Sequence, residues 1–200
     1  MKPWRRELYY FDTAGGFETE RFAGRLLMMI LREMREKGKT EIVFLCIGTD
    51  RSTGDSLGPL VGYKLMEQGL KNARVFGTLD SPVHAMNLDR YMEGMKRKFP
   101  GAVVVAVDAS VGNSEHVGFV TLGSGPLKPG LGVRKELDAV GDIAITGIVG
   151  AGGNGDPLML QSVRLSMVMR LADCISRSIN LGMSLIGRCV ENFLKEPSPF

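Results

Sequence analysis

Two aspartates stand where a carboxylate can do chemistry. Asp55 lies in the polar, glycine-bearing loop of EIVFLCIGTDRSTGDSLGPL, residues 41–60, and Asp108 directly follows the apolar run AVVVAV, residues 102–107. Each comes after a buried strand, and in a parallel sheet both converge on one edge, where open α/β sheets place their sites. A carboxylate against a buried strand loses hydration and requires partners. Two of them close together can share a proton, one activating water as base while the other protonates or polarises the substrate. They can also jointly hold a metal. The plainer structural reading is that each caps a helix or a turn.

The remaining polar residues make weaker candidates. His84 is the nearby imidazole, since His116 sits in a polar turn beside Glu115, and a lone histidine is more often a satisfied structural residue than a ligand. Ser52, Ser56, Ser81 and Ser110 are conceivable nucleophiles, but the chain has no G-x-S-x-G elbow and no clear Ser, His, acid order. The segment GAGGNG, residues 150–155, lacks the Lys and Ser/Thr of a phosphate-binding P-loop and reads as a tight turn into the last helix.

The elements that must position the aspartates follow from the apolar pattern. Ile42 to Ile47, nearly all apolar, is the central strand of an α/β sheet. Beyond it Gly48, Gly54 and Gly58 permit tight backbone geometry, Asp55 or Ser56 caps a helix, and Pro59 takes a first-turn position. Residues 60–70 continue as helix and Ala73 to Gly77 form a second strand, completing a βαβ unit. Before this unit, Phe22, Leu26, Met29, Ile30 and Met34 recur at helical spacing over residues 18–37, and Gly38 supplies the carboxyl cap. After it, a loop carries Asp80, Ser81 and His84 toward the strand ends, and a helix runs from about His84 to Lys98. Ala102 to Val107 is a strand buried on both faces. Val117 to Leu122 is an antiparallel strand, residues 123–132 a loop, and Asp142 to Ile148 a further buried strand. The last helix starts at Asp156 and Pro157 and runs to about Ile179, with Leu181 to Leu194 continuing it or forming a second segment. Residues 1–16 read as an aromatic arm packed on one domain that spans residues 1–200.

Composition excludes several classes of protein. With 44% apolar and 24% charged residues the chain has the makeup of a globular domain with a substantial core. The net charge of +3 is spread over 25 basic and 22 acidic residues without a basic block, which gives no reason to expect nucleic-acid binding. The apolar run Leu26 to Leu31 is too short for a membrane span or a secretory segment, so no membrane partner is expected. The three cysteines lack metal-ligand spacing, and their odd number argues for reduced cytosolic thiols rather than a disulfide framework. Homo-oligomerisation through the amino-terminal aromatics or the Met-rich helices is compatible with the pattern, as is simple core packing.

Three blocks carry a resemblance: CIGTDRSTGDSLGPLVG from Cys46, VVVAVDAS from Val103, and KPGLGVRKEL from Lys128, the last followed by the strand IAITGIV. In this order they resemble the YyaC-type sporulation proteins, which are similar to the germination protease that degrades small acid-soluble spore proteins and, more distantly, to hydrogenase maturation endopeptidases. The resemblance implies a three-layer α/β/α fold with a mostly parallel sheet, phosphorylase/hydrolase-like. It also implies a peptidase or peptidase-derived role in the cytoplasm of the sporulating cell or forespore, with a spore protein as substrate. The essential aspartates of the germination protease carry over to Asp55 and Asp108. The position of the nickel-binding histidine in the maturation enzymes matches Lys128, which cannot ligate a cation while protonated. Lys128 is instead expected to lower the pKa of a nearby carboxylate or to bind an acidic group of a substrate.

The expectation is an endopeptidase without a resident metal or other cofactor. Asp55 and Asp108 handle water and the leaving amide, and Arg51, Ser52 and Lys128 position the peptide. Two alternatives stay open: a noncatalytic binding or assembly factor of the spore, and a metal-dependent peptidase using Asp55, Asp108 and His84.

Overall fold

The computed structural model describes residues 7–130, 137–152 and 160–193. Its centre is a six-stranded sheet in the order β1-β5-β6-β4-β2-β3, built from β1 (Leu8–Asp12), β2 (Glu41–Cys46), β3 (Arg74–Phe76), β4 (Ala102–Gly112), β5 (Phe119–Ser124) and β6 (Ile143–Ala151). The pairs β2–β3, β2–β4 and β4–β6 are parallel, whereas β5 runs antiparallel to both β6 and β1. Only β5 is therefore reversed. The continuous apolar strands occupy the middle of this sheet because both of their faces are covered.

Helices α1 (Thr19–Lys37), α2 (Leu57–Glu67) and α4 (Leu165–Phe193) lie on one face, and α3 (Leu88–Lys98) lies on the other. Phe22, Leu26 and Ile30 of α1 join Leu171, Ile175 and Ile179 of α4 in a core that also takes Phe44, Val105 and Ile145 from the sheet. On the opposite face Leu88 and Met95 of α3 cover Val43, Leu45 and Ala106. The three-layer α/β/α arrangement with a mostly parallel sheet is the one expected.

Several boundaries differ from expectation. Part of the amino-terminal arm is the edge strand β1, in which Phe11 is buried against Phe17 and Phe22. Strand β4 continues past Val107, so Asp108 lies inside a strand instead of after one. Asp55 does not cap α2: it sits in a single 3-10 turn, Gly54–Ser56, that leads into the helix. Helix α3 begins at Leu88 because Pro82 to Asn87 form a turn closed by Asn87, whose side chain accepts the His84 N–H and donates to the Pro82 carbonyl. Helix α4 begins at Leu165 and passes Asn180 without a break, with Gly182 set against Ala23 of α1. Gly150 and Ala151 belong to β6, while residues 153–155 of the glycine-rich turn and the expected helix start at Asp156 and Pro157 lie outside the described residues.

One ionic cluster ties the amino ends of the strands together. Asp142 Oδ2 accepts the Val104 N–H at 2.8 Å and Lys39 Nζ at 2.6 Å, and Lys37 reaches Oδ1 at 3.2 Å. Burial pushes the Asp142 carboxyl up, but the Lys39 and Val104 hydrogen bonds and the lysine charges outweigh it and hold the pKa below the usual range. A carboxyl lowered on folding stabilises the fold above its unfolded value, near pH 4, and loses that contribution as the pH falls through the folded value. Asp142→Asn is therefore expected to cost about 1–2 kcal/mol at pH 7 and to narrow the gap from wild type below about pH 4. Chemical denaturation over a pH series would read this; a gap that widens on acidification would contradict it.

Candidate active site

The site is assembled by the carboxyl ends of the parallel strands and the loops leaving them. Ile47 extends the line of β2: its N–H donates to the Val107 carbonyl of β4 and its backbone bridges Val83, while the Gly48 N–H donates to the Val83 carbonyl. The chain then turns back on itself. Gly48 has φ of 139°, and a side chain there would meet the Asp55 carbonyl, which accepts the Thr49 N–H at 3.1 Å. The Ser56 side chain donates to the Thr53 carbonyl at 2.6 Å, closing the turn that carries Asp55. This loop, the 82–86 turn and the end of β4 surround a cavity of about 500 Å³.

Asp55 and Asp108 both line that cavity. Asp108 is 6% exposed, and its Oδ1 accepts the N–H of Ala109 at 2.8 Å. Burial, followed by the negative charge of Asp55, raises its pKa well above the ordinary carboxyl value, with the Ala109 N–H pulling weakly the other way. Asp55 is raised as well, first by burial, and is drawn part of the way back by the Thr49 N–H and by the imidazole of His84. Both carboxyls are therefore raised, the more deeply buried Asp108 more strongly than Asp55.

The other residues expected at the site divide. Arg51 lines the mouth of the cavity and is exposed, and Ser52 lines it with a buried Oγ that has no hydrogen-bond partner among the described residues. Lys128 does not line this cavity: Pro129 and Gly130 do, while Lys128 faces an adjoining groove. Both aspartates are raised, by burial first, and Lys128 is not among the groups that shift either of them. Asp80 and Ser81 are exposed, and the Ser81 hydroxyl lies 3.1 Å from that of Tyr91.

His84 matters more than a lone histidine would suggest. It lines the cavity, and its Nδ1 lies 3.2 Å from the Met86 backbone nitrogen. Its signal in the sequence was position in a loop at a strand end. The apolar lining from Met86, Leu137 and Leu160 had no signal, because these residues come from three distant segments. Among the described residues no three His, Cys, Asp or Glu side chains are grouped to hold a metal, so His84 does not complete a three-ligand set with the two aspartates. Cys46 is buried with its thiol pushed up by burial, away from nucleophilic use. Among the described residues no helix is long and apolar enough to cross a membrane.

Comparison with known proteins gives three findings. The family described as "Protein of unknown function (DUF1256)" matches residues 17–178. The chain is 43% identical over 164 residues to "Uncharacterized protein YyaC" of Bacillus subtilis (strain 168), covering 82% of this chain and 80% of that one. Among solved structures it is similar to the [NiFe] hydrogenase maturation protease HycI from Thermococcus kodakarensis KOD1, with a TM-score of 0.42 and 20% identity over 74% of this chain and 98% of that one.

Proposed function

The chain belongs to the family described as Protein of unknown function (DUF1256), and from that premise we propose that it is an endopeptidase working through Asp55 and Asp108. One observation carries the reading: two carboxyls, one within β4 and one in the turn that follows β2, share a cavity, and burial raises both, one of them strongly. Structural carboxylates tend toward the opposite pattern, seen at Asp142, where cationic partners hold the group down.

The chemistry follows from the unequal pair. Asp55, ionised, takes a proton from water as the water oxygen bonds to the scissile carbonyl carbon. Asp108 donates from Oδ2, the oxygen not engaged by the Ala109 N–H, and its proton neutralises the developing oxyanion. Collapse of the tetrahedral species breaks the C–N bond as the proton held by Asp55 passes to the leaving nitrogen and one hydroxyl of the tetrahedral carbon returns its proton to Asp108. A carboxylic acid and an amine result, and the pair is back at its starting charge. Ser52 fits a substrate-positioning role because its buried hydroxyl lacks a partner that a peptide carbonyl would supply. Arg51 at the mouth fits the same role for a passing carboxylate or carbonyl. The resemblance of the three sequence blocks to sporulation proteins supports a spore protein as the substrate.

The test is digestion of a peptide library, with new termini read by mass spectrometry, by wild type and Asp55→Asn. Termini produced by wild type alone support the reading, and their absence across pH 4–9, with or without added divalent cations, would sink it. The pH dependence is itself expected to be bell-shaped: kcat/KM rises as Asp55 ionises and falls as Asp108 loses its proton. A profile that climbs steadily through pH 9 would contradict the assigned proton.

A further inference from the structure

The face of the sheet that carries α3 is covered only in part. Beyond the aspartates it opens into a second cavity of about 530 Å³ over β1, β5, β6 and the end of β4. The two cavities are continuous in the chain that builds them. Asp108 lines the first and Ser110 the second, and residues two apart on a strand share a face about 7 Å from each other. Lys128 lines the second and its neighbour Pro129 the first.

Three features of this groove suit a polypeptide. Its floor is a row of hydroxyls: Ser110 Oγ donates to Thr146 Oγ1 at 3.0 Å, and Thr146 Oγ1 lies 2.7 Å from Thr121 Oγ1. Ser110 Oγ also donates to the Gly147 carbonyl at 3.4 Å, and the hydroxyl row gives the floor a polar character that suits the carbonyl and N–H groups of a peptide. The wall is apolar, with Leu8 and Tyr10 about half exposed and His116 stacked 4.7 Å from Tyr10. Lys128 is exposed at the side, and among the described residues no Asp or Glu lines the groove. A sheet face meant only for water would not present Leu8 and Tyr10 beside the hydroxyls.

We propose that this groove holds the extended stretch of the substrate flanking the scissile bond, with an Asp or Glu side chain of that stretch against Lys128. The proposal rests on the peptidase reading and adds the class of substrate: an unfolded or extended segment with an acidic flank. From Ser110 to Gly112 the groove runs about 7 to 14 Å from Asp108, which at about 3.3 Å per residue accommodates positions roughly two to four residues from the bond.

The test compares wild type with Lys128→Glu on a peptide library made by chymotryptic digestion of a bacterial lysate, with all cleavage sites mapped. Wild type should show Asp or Glu enriched on one side, two to four residues from the cut. Lys128→Glu should lose that enrichment, select Lys or Arg at the same positions, and cleave acidic-flank peptides roughly tenfold less efficiently. Peptides truncated to leave the groove empty should show a raised KM with wild type. Cleavage with the same flank preference in both proteins, and no penalty for truncation, would overturn the groove assignment and leave the peptidase reading standing. No cleavage by either protein would overturn both.

Discussion

Asp108→Asn is expected to abolish peptide cleavage, lowering kcat/KM by about 10³-fold or more, while making the folded protein more stable at neutral and alkaline pH. The two effects have one origin. Asp108 is buried beside Asp55, and both burial and that neighbouring charge oppose its ionisation. A carboxyl raised on folding binds its proton more tightly in the folded state. Its stabilising contribution is full below the unfolded value, near pH 4, and is lost as the pH rises through the folded value. The wild type therefore pays an increasing penalty with pH that an amide does not, and Asn can still accept the Ala109 N–H. Thermal unfolding of the two proteins should coincide near pH 4 and diverge upward from there, by roughly 2–4 °C for each kcal/mol relieved. A variant both inactive and less stable at pH 8 would reduce Asp108 to a structural residue. An active variant would remove it from the mechanism.

Gly58→Ala is expected to be strongly destabilising. A side chain at Gly58, in the first turn of α2, would come within 2.0 Å of the Ile47 carbonyl oxygen, and one at Gly62, a turn later, within 1.9 Å of the Gly77 carbonyl. These are backbone atoms, which cannot swing away, so α2 must lift off the strand ends. The expected cost is about 3 kcal/mol or more, a fall in Tm of roughly 6–12 °C. The loop carrying Asp55 moves with the helix, so activity should fall with stability. Gly24→Ala is the opposite case: nothing lies within 4 Å of a side chain there, on the exposed side of α1. It should stabilise by about 0.5–1 kcal/mol. Circular dichroism melts of the two variants would check the contrast, and equal effects would refute the close-packing account.

The buried strands were legible because β-branched runs such as VVVAV suit a strand covered on both faces, and nothing else in the chain competes with them. The aspartate pair was legible for the same reason, since a carboxylate at the end of such a run has to be accounted for. That Asp108 lies within β4 was not, because the strand is prolonged by pairing with β6 as far as Ala151, and Asp108 itself pairs with Thr146, 38 residues away in sequence. Strand β1 was hidden by its polar surroundings: as an edge strand it buries Phe11 and leaves Leu8, Tyr10 and Asp12 outward. The sequence left open whether Leu181 to Leu194 continue the last helix or form a second segment, and α4 runs through unbroken, with Gly182 allowing the close approach to Ala23 of α1. Lys128 stands beside the site in sequence but in the neighbouring groove in space, since direction changes at every residue of a loop and spacing cannot record it.

The sheet order has a consequence for how the molecule comes to be. Strand β1 is made before the other described strands, yet its partner among the described residues is β5, more than a hundred residues later. Helices α1 and α2 both pack on α4, whose residues are made last of all the elements. During synthesis the α1 face of the growing sheet is therefore left without its covering until α4 has left the ribosome. Contacts this distant in sequence slow folding, so refolding is expected to be slow and to wait on the docking of α4, which the rate of refolding on dilution from denaturant would check.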